Sequence, residues 1–138
     1  MTKPKRIWLI DDDEDESLFF QMALSQLGQP IDYSFHQDSV VALSKVRNED
    51  IPKPDLLFLD LNMPKIGGKD CLKAIRNLTR YASVPIIVYT TSQARHEQEE
   101  AERLGASYFL IKQNTVGELT QKLKYLFALD WSGLNKVA

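Results

Sequence analysis

Short apolar runs alternate with segments of helical period along nearly the whole of this 138-residue chain, which limits the fold more than any other feature. Residues 56–59 and 86–89 are apolar throughout, as is typical of strands buried on both faces of a parallel sheet. Strands are predicted over residues 6–10, 31–36, 56–59, 86–89 and 108–111. Helices are predicted over residues 15–27, 39–48, 67–78 and 93–104, and along a stripe of Val116, Leu119, Leu123 and Leu126.

A strand followed by a helix, five times in succession, predicts an α/β domain. Its sheet should be parallel with helices on both faces, because each crossover is right-handed and covers one face. Several apolar residues of the first helix are expected near its inward side, namely Leu18, Phe19, Met22, Ala23 and Leu27. We expect one domain over residues 1–127, followed by a tail over residues 128–138 that is too short for an output domain.

The composition is that of an ordinary globular domain, with 43% hydrophobic and 26% charged residues. The net charge of −2 provides no basic field that would attract nucleic acid. No apolar run approaches the ~20 residues that cross a bilayer, and the acidic stretch after residue 10 argues against a signal peptide. The single cysteine, Cys71, fits a reducing compartment, so we expect a cytoplasmic protein.

Polar residues follow four of the five predicted strands. In open parallel sheets, ligands bind beyond the carboxyl ends of the strands, so these side chains are expected to converge on one site. The first strand is followed by three carboxylates and the third, fourth and fifth strands by one polar residue each: Asp11, Asp12 and Asp13, then Asp60, Thr90 and Lys112. The second strand ends at His36, which we expect to lie to one side.

Carboxylates only a few Å apart repel one another by on the order of a few kcal/mol per pair, so such a cluster holds either a proton or a cation. Oxygen ligands without thiolates or clustered imidazoles favour Mg²⁺ over zinc. A Mg²⁺ ion held by two carboxylates and a backbone carbonyl keeps water molecules that a phosphoryl oxygen can replace. Thr90 offers a hydroxyl donor and Lys112 a positive charge, both suited to phosphoryl transfer.

Two other classes of site lack their motifs. A nucleotide site needs a glycine-rich turn after the first strand, whereas here an acidic run would repel phosphate unless a metal intervened. The chain has no G-x-S-x-G motif, and Cys71 lies within a predicted helix without a nearby histidine. Rossmann-type cofactor binding and nucleophilic hydrolysis are therefore not expected.

From residue 7 to about residue 126, the chain resembles the receiver domains of two-component response regulators. The resemblance rests on four pieces in order: Ile10-Asp11-Asp12, the run from Leu59 to Pro64 with Gly68 beyond it, Val88-Tyr89-Thr90, and Gly105-Ala106 leading to Lys112. It implies a flavodoxin-like doubly wound sheet of strand order 2-1-3-4-5.

The resemblance also implies a function as a stand-alone phosphorylation switch. A phosphoryl group would pass from a phosphohistidine, on a sensor histidine kinase or a histidine phosphotransfer protein, to Asp60. Asp12, Asp60 and the Asn62 backbone carbonyl would bind Mg²⁺, with Asp11 nearby or acting through water, while Thr90 and Lys112 would hold the phosphoryl oxygens. The domain would then signal by protein contact or by onward transfer of the phosphoryl group. The aspartyl phosphate would decay by hydrolysis, and this decay would not make the protein an enzyme.

Two positions depart from the family pattern. Gln113 follows Lys112 where most receivers have a proline joined through a cis bond, so Lys112 is free to be aimed differently. Phe109 stands where many receivers have a tyrosine. The first departure leaves open a pseudo-receiver that binds partners without phosphorylation. A Mg²⁺-dependent phosphatase is disfavoured, because Asn62 occupies the position where that class needs a second acid.

Other polar residues have plainer interpretations. Residues 13–16 are interpreted as the acidic first turn of a helix, favoured by its dipole, and Cys71 as a packing residue. His36 and His96 are expected at the surface or at a strand edge. Aromatic and apolar residues near the C-terminus fall off the inward stripe and indicate either a homodimer through the face of helix 4, strand 5 and helix 5, or a tail folded onto its own domain: Tyr125, Phe127, Leu129 and Trp131.

Overall fold

The computed structural model describes residues 4–132. Its strands are β1 (Arg6–Ile10), β2 (Asp32–His36), β3 (Leu56–Leu59), β4 (Ile86–Thr90) and β5 (Tyr108–Ile111). Its helices are α1 (Glu14–Ser25), α2 (Ser39–Arg47), α3 (Gly68–Arg76), α4 (Arg95–Arg103) and α5 (Val116–Ala128), with a short 3-10 helix at Thr79–Tyr81. Every predicted strand and helix is present, with ends that differ from the prediction by three residues or fewer.

The five strands form one parallel sheet of order β2-β1-β3-β4-β5, which confirms the predicted doubly wound fold. β1 lies between β2 and β3, so the strand order reverses at β1 and opens a crevice at its carboxyl end. The register pairs Ile10 with Leu59, and the Asp60 amide donates to the Ile10 carbonyl at 2.9 Å. The residues that follow β1 and β3 therefore lie side by side at one edge of the sheet.

Two apolar layers cover the faces of the sheet. On one face, α2, α3 and α4 pack over Leu57, Leu59 and Val88, and on the other α1 and α5 pack over Phe58 and Ile87. The central strands β3 and β4 are buried at every position, as their apolar runs predict. The α5 stripe also faces inward as predicted, with Leu119, Leu123 and Leu126 at 0% exposure.

The orientation predicted for α1 is wrong in part. Leu18 and Met22 are 60% and 56% exposed, whereas Phe20 and Leu24 are buried together with Ala23. Apolar residues occur on more than one side of this helix, so helical periodicity alone does not select the buried side. Asp13 caps the helix by accepting from the Asp15 amide at 2.9 Å.

His36 ends the edge strand β2, which agrees with its predicted place at the surface or at a strand edge, but its side chain is buried. It is 7% exposed, its ring lies 4.4 Å from that of Trp8 between centroids, and neither ring nitrogen has a partner among residues 4–132. Burial, with a smaller contribution from the charge of Lys45, lowers its pKa to about 4. Because both faces of this sheet are covered, the polar positions of an alternating edge strand are not automatically solvated.

The described part of the tail folds back onto its own domain. The Trp131 indole donates to the Leu126 carbonyl at 3.0 Å, and Leu129 and Trp131 pack against the layer of α1 and α5. Phe127 is 7% exposed, which contradicts its predicted exposure, while Tyr125 is 54% exposed as expected. The predicted tail residues 133–138 lie outside the described range.

Candidate functional site at the carboxyl ends of the strands

Three carboxylates meet beyond β1 and β3. Asp11 is 0% exposed and Asp60 4%, while Asp12 is half-buried. One oxygen from each lies within 4.8 Å of the others, so the three can share one cation. Asp13, in contrast, serves as the cap of α1 and is not part of this cluster. The structure thus brings together three of the four acidic residues predicted at this edge.

The cluster has more negative than positive charge. The pKa of Asp60 is raised to about 6, first by burial and then by the charge of Asp11, although the Lys112 charge opposes the rise. Burial also raises the pKa of Asp11. Both shifts mean that the pocket disfavours its own negative charge, and a bound cation would relieve that cost. The all-oxygen donor set fits Mg²⁺ or Mn²⁺.

Lys112 supplies positive charge from the end of β5. Its amide donates to the Thr90 carbonyl at 2.8 Å, which fixes the backbone, and its Nζ lies 2.8 Å from Asp11 Oδ2 and 4.0 Å from Asp60 Oδ1. The bond to Gln113 is trans, because the described chain contains no cis peptide. The ammonium nonetheless points into the cluster, so the departure at Gln113 does not turn it away.

Thr90 is the last residue of β4, at the same edge of the sheet as the carboxylates. It is 0% exposed, and its Oγ1 accepts from the Ser92 amide at 3.2 Å. A hydroxyl that accepts through its oxygen still has its own proton to donate. Thr90 can therefore offer that proton to an incoming oxygen.

The loop after β3 is held tightly around Asp60. The Asn62 amide donates to Asp60 Oδ1 at 3.3 Å, and the Gly68 amide donates to the Leu61 carbonyl at 2.9 Å. A Cβ on Gly68 would overlap the Asp60 carbonyl oxygen and Leu61, so only glycine allows this approach. At the tip of the loop, Lys65 adopts a φ of 64° and pairs with Asp38 at 2.6 Å.

Sequence reasoning missed two residues beside the site. Glu16 was interpreted as part of an acidic helix turn, but its Oε1 lies 3.8 Å from Lys112 Nζ. Its Oε2 accepts from the Tyr89 hydroxyl at 2.7 Å. The tyrosine within the otherwise aliphatic run of β4 was the available signal, because a buried phenol needs a polar partner.

The profile of the response regulator receiver domain matches residues 7–124. The chain belongs to this family. Receiver domains are signalling modules of two-component systems rather than enzymes in the classical sense, they bind Mg²⁺ or Mn²⁺ at an acidic pocket, and they interact with histidine kinases and phosphotransfer proteins. In the described part of this receiver domain, no helix combines the length and apolar character needed to cross a membrane.

This receiver domain is similar to several small response regulators. It is 27% identical over 120 residues to response regulator Rcp1 of Synechocystis sp., covering 84% of this chain and 82% of the relative. It is 29% identical over 125 residues to chemotaxis protein CheY1 of Helicobacter pylori, covering 91% of this chain and 98% of the relative.

Solved structures share the fold of this receiver domain. The phosphorylated cyanobacterial phytochrome response regulator RcpA superposes with a TM-score of 0.80 at 26% identity, covering 88% of this chain and 90% of that one. The Mn²⁺-bound form of response regulator Rcp1 superposes with a TM-score of 0.79 at 24% identity, covering 98% of both chains. The second likeness is evidence for the fold alone.

Proposed function

We propose that this receiver domain accepts a phosphoryl group on Asp60 from the phosphohistidine of a sensor histidine kinase or a histidine phosphotransfer protein. The observation that carries the proposal is the meeting of Asp11, Asp12 and Asp60 beside the Lys112 ammonium. Two of these carboxylates have raised pKa values, so the site is arranged for added positive charge and for an oxygen nucleophile.

In the proposed reaction, an ionised Asp60 oxygen attacks phosphorus as the bond from phosphorus to the histidine nitrogen breaks. The released imidazole keeps the electron pair of that bond and then takes a proton from water. Lys112 balances charge on the transferring oxygens, and Thr90 donates its hydroxyl proton to one of them. Water later attacks the acyl phosphate, which restores the Asp60 carboxylate and releases inorganic phosphate.

Asp11, Asp12, Asp60 and the Asn62 carbonyl are the proposed ligands of Mg²⁺. The close, partly desolvated carboxylates support this assignment for the three aspartates, and the family resemblance supports it for Asn62. When bound, the ion would offset the charge of the carboxylates and of the phosphoryl oxygens. That the phosphorylated domain signals by protein contact or onward transfer is part of the same proposal, as are a domain over residues 1–127 and a cytoplasmic location.

The proposal is tested by intact-protein mass spectrometry after incubation with a small phosphodonor, with and without Mg²⁺. Wild type should gain one phosphate in a Mg²⁺-dependent manner, and Asp60→Ala should gain none. Lys112→Ala should still bind Mg²⁺ but take up the label more slowly. An equal gain in wild type and Asp60→Ala would show that Asp60 is not the acceptor.

A further inference from the structure

Lys112 has a second set of contacts besides those with Asp11 and Asp60. Glu16 of α1 places Oε1 3.8 Å from Nζ, and the ammonium lies 5.4 Å from the ring centroid of Tyr89. The Tyr89 hydroxyl donates to the other Glu16 oxygen at 2.7 Å. Glu16 is therefore a carboxylate held at one oxygen by a phenol while its other oxygen faces the ammonium.

These contacts lie on a rigid support. Tyr89 is 0% exposed, and its ring packs edge-on against Phe20 at 5.6 Å and Phe58 at 6.3 Å between centroids. The side chains of Glu16 and Lys112 are 16% and 12% exposed. A packed aromatic ring loses little further freedom when it holds a partner, so Tyr89 can fix the position of Glu16.

Lys112 needs such support because its side chain is a flexible four-carbon stem whose charge is compact. The hydrogen bond from its amide to Thr90 fixes only the backbone, and the Gln113 side chain donates to the Ile111 carbonyl at 2.7 Å instead of contacting the ammonium. Asp11 holds Nζ on one side at 2.8 Å. Without a second anchor, the ammonium could follow Asp11 and leave Asp60.

We propose that Glu16 and Tyr89 are positioning residues for Lys112. Tyr89 holds Glu16, and Glu16 holds the ammonium between Asp11 and Asp60, where it meets the phosphoryl oxygens. This inference deepens the proposed function, because it assumes that Lys112 acts on the phosphoryl group. A helix-dipole role does not explain the contacts, since Glu14 and Asp15 occupy the same first turn and are exposed.

The first test observes the ammonium itself, without phosphoryl chemistry. In ¹⁵N NMR spectra, assigned with Lys112→Ala, wild type should show a resolved Lys112 ammonium signal that is protected from exchange with water. Glu16→Gln and Tyr89→Phe should shift this signal and speed its exchange. Glu14→Gln, which removes the same charge from an exposed position on the same turn, should leave it unchanged. A missing wild-type signal, or one unmoved by Glu16→Gln, would overturn the proposal.

The second test measures the initial rate of label uptake from a small phosphodonor at saturating Mg²⁺. Glu16→Gln should lower the rate about three- to fivefold relative to Glu14→Gln, as expected for a partly exposed ion pair. An unchanged rate would overturn the inference. If wild type takes up no label while the NMR signals respond as predicted, the phosphoacceptor function fails and the positioning of Lys112 stands.

Discussion

At the scale of single residues, the charge of Asp60 is costly to the folded domain in the absence of metal. Its folded pKa of about 6 lies above the value of ~3.9 for an exposed aspartate. The folded state therefore binds a proton more tightly, and this group's contribution to stability falls as pH rises from about 4 to 6. The position is kept acidic at the expense of stability, as is common where a residue carries chemistry.

Replacing this charge should stabilise the metal-free domain. Asp60→Asn keeps the shape of the side chain and removes the buried charge, so the free energy of unfolding should rise by about 1 to 3 kcal/mol near neutral pH. Urea unfolding in the presence of a chelator measures the difference. Asp50→Asn, at an exposed carboxylate, controls for the loss of one charge. A variant less stable than wild type would contradict the account of the pocket.

His36 should make the domain sensitive to acid in the opposite sense. Its folded pKa of about 4 lies below the unfolded value of about 6.5, so its contribution to stability is complete above 6.5 and is lost as pH falls toward 4. His36→Phe keeps a flat ring against Trp8 but cannot take up a proton. Between pH 7 and pH 5, it should lose about 2 kcal/mol less stability than wild type.

Urea unfolding at the two pH values tests this expectation for His36. Comparing the variant with wild type cancels the contribution of Asp60, which both proteins share. His96→Phe provides the control, because His96 is exposed. Equal losses in wild type and His36→Phe would show that the buried imidazole is not the group that titrates.

At the scale of elements, the start of α3 depends on one close backbone contact. The first residue of the helix, Gly68, lies against the peptide that joins Asp60 to Leu61. Gly68→Ala would force that backbone apart, so we expect a loss of about 2 to 3 kcal/mol of stability and slower label uptake at Asp60.

The matched control for this variant is Gly117→Ala. Gly117 lies on the exposed side of α5, where a new Cβ meets nothing within 4 Å. The variant should be more stable by about 0.5 to 1 kcal/mol, because alanine is the better helix former. Thermal unfolding of both variants measures these changes in stability. If the Gly68→Ala domain were as stable as wild type, a Cβ at this position would not force the backbone apart.

The elements differ in how far the sequence determines them. β3 and β4 could be predicted because a short, fully apolar run is typical of a central strand that is buried on both faces of a parallel sheet. The buried side of α1 could not, since its apolar residues surround the helix and only the packing of Phe20 on Phe58 and Tyr89 of the sheet selects it over Leu18. The burial of His36 also depends on tertiary packing, because α2 packs against β2 and the Trp8 ring lies against the imidazole.

The residues of the candidate site also differ in whether the sequence predicts them. The residues Asp11, Asp60, Thr90 and Lys112 could be placed from the sequence because each follows a strand, and parallel strands bring their ends together. Glu16 could not be singled out, because it stands in a run of acidic residues where the helix dipole explains any of them equally well. Only the contacts with Tyr89 and Lys112 distinguish it.

At the scale of the whole molecule, the face of α4, β5 and α5 carries two neighbouring tyrosines. Tyr125 is 54% exposed, and its ring centroid lies 6.3 Å from that of the half-buried Tyr108. Leu129 and Trp131 pack on the layer of α1 and α5. The tyrosine pair is therefore the stronger candidate for an interface, because exposed aromatics often anchor protein contacts.

We expect a homodimer through this face. Sedimentation velocity over a range of concentrations should show self-association, and Tyr125→Ser should weaken it about tenfold or more. Leu18→Ser is the control, because Leu18 is equally exposed but lies on α1, outside this face. A monomer at all concentrations, or self-association that is unchanged by Tyr125→Ser, would rule out this interface.

The most direct test of the central claim is to locate the phosphoryl group chemically. After incubation with a small phosphodonor and Mg²⁺, borohydride reduces an acyl phosphate to an alcohol, and peptide mass spectrometry then identifies the altered residue. We expect reduction at Asp60 alone, dependent on Mg²⁺ and absent without the phosphodonor. Reduction at Asp11 or Asp12 instead, or a stable label on a serine, threonine or histidine, would contradict it.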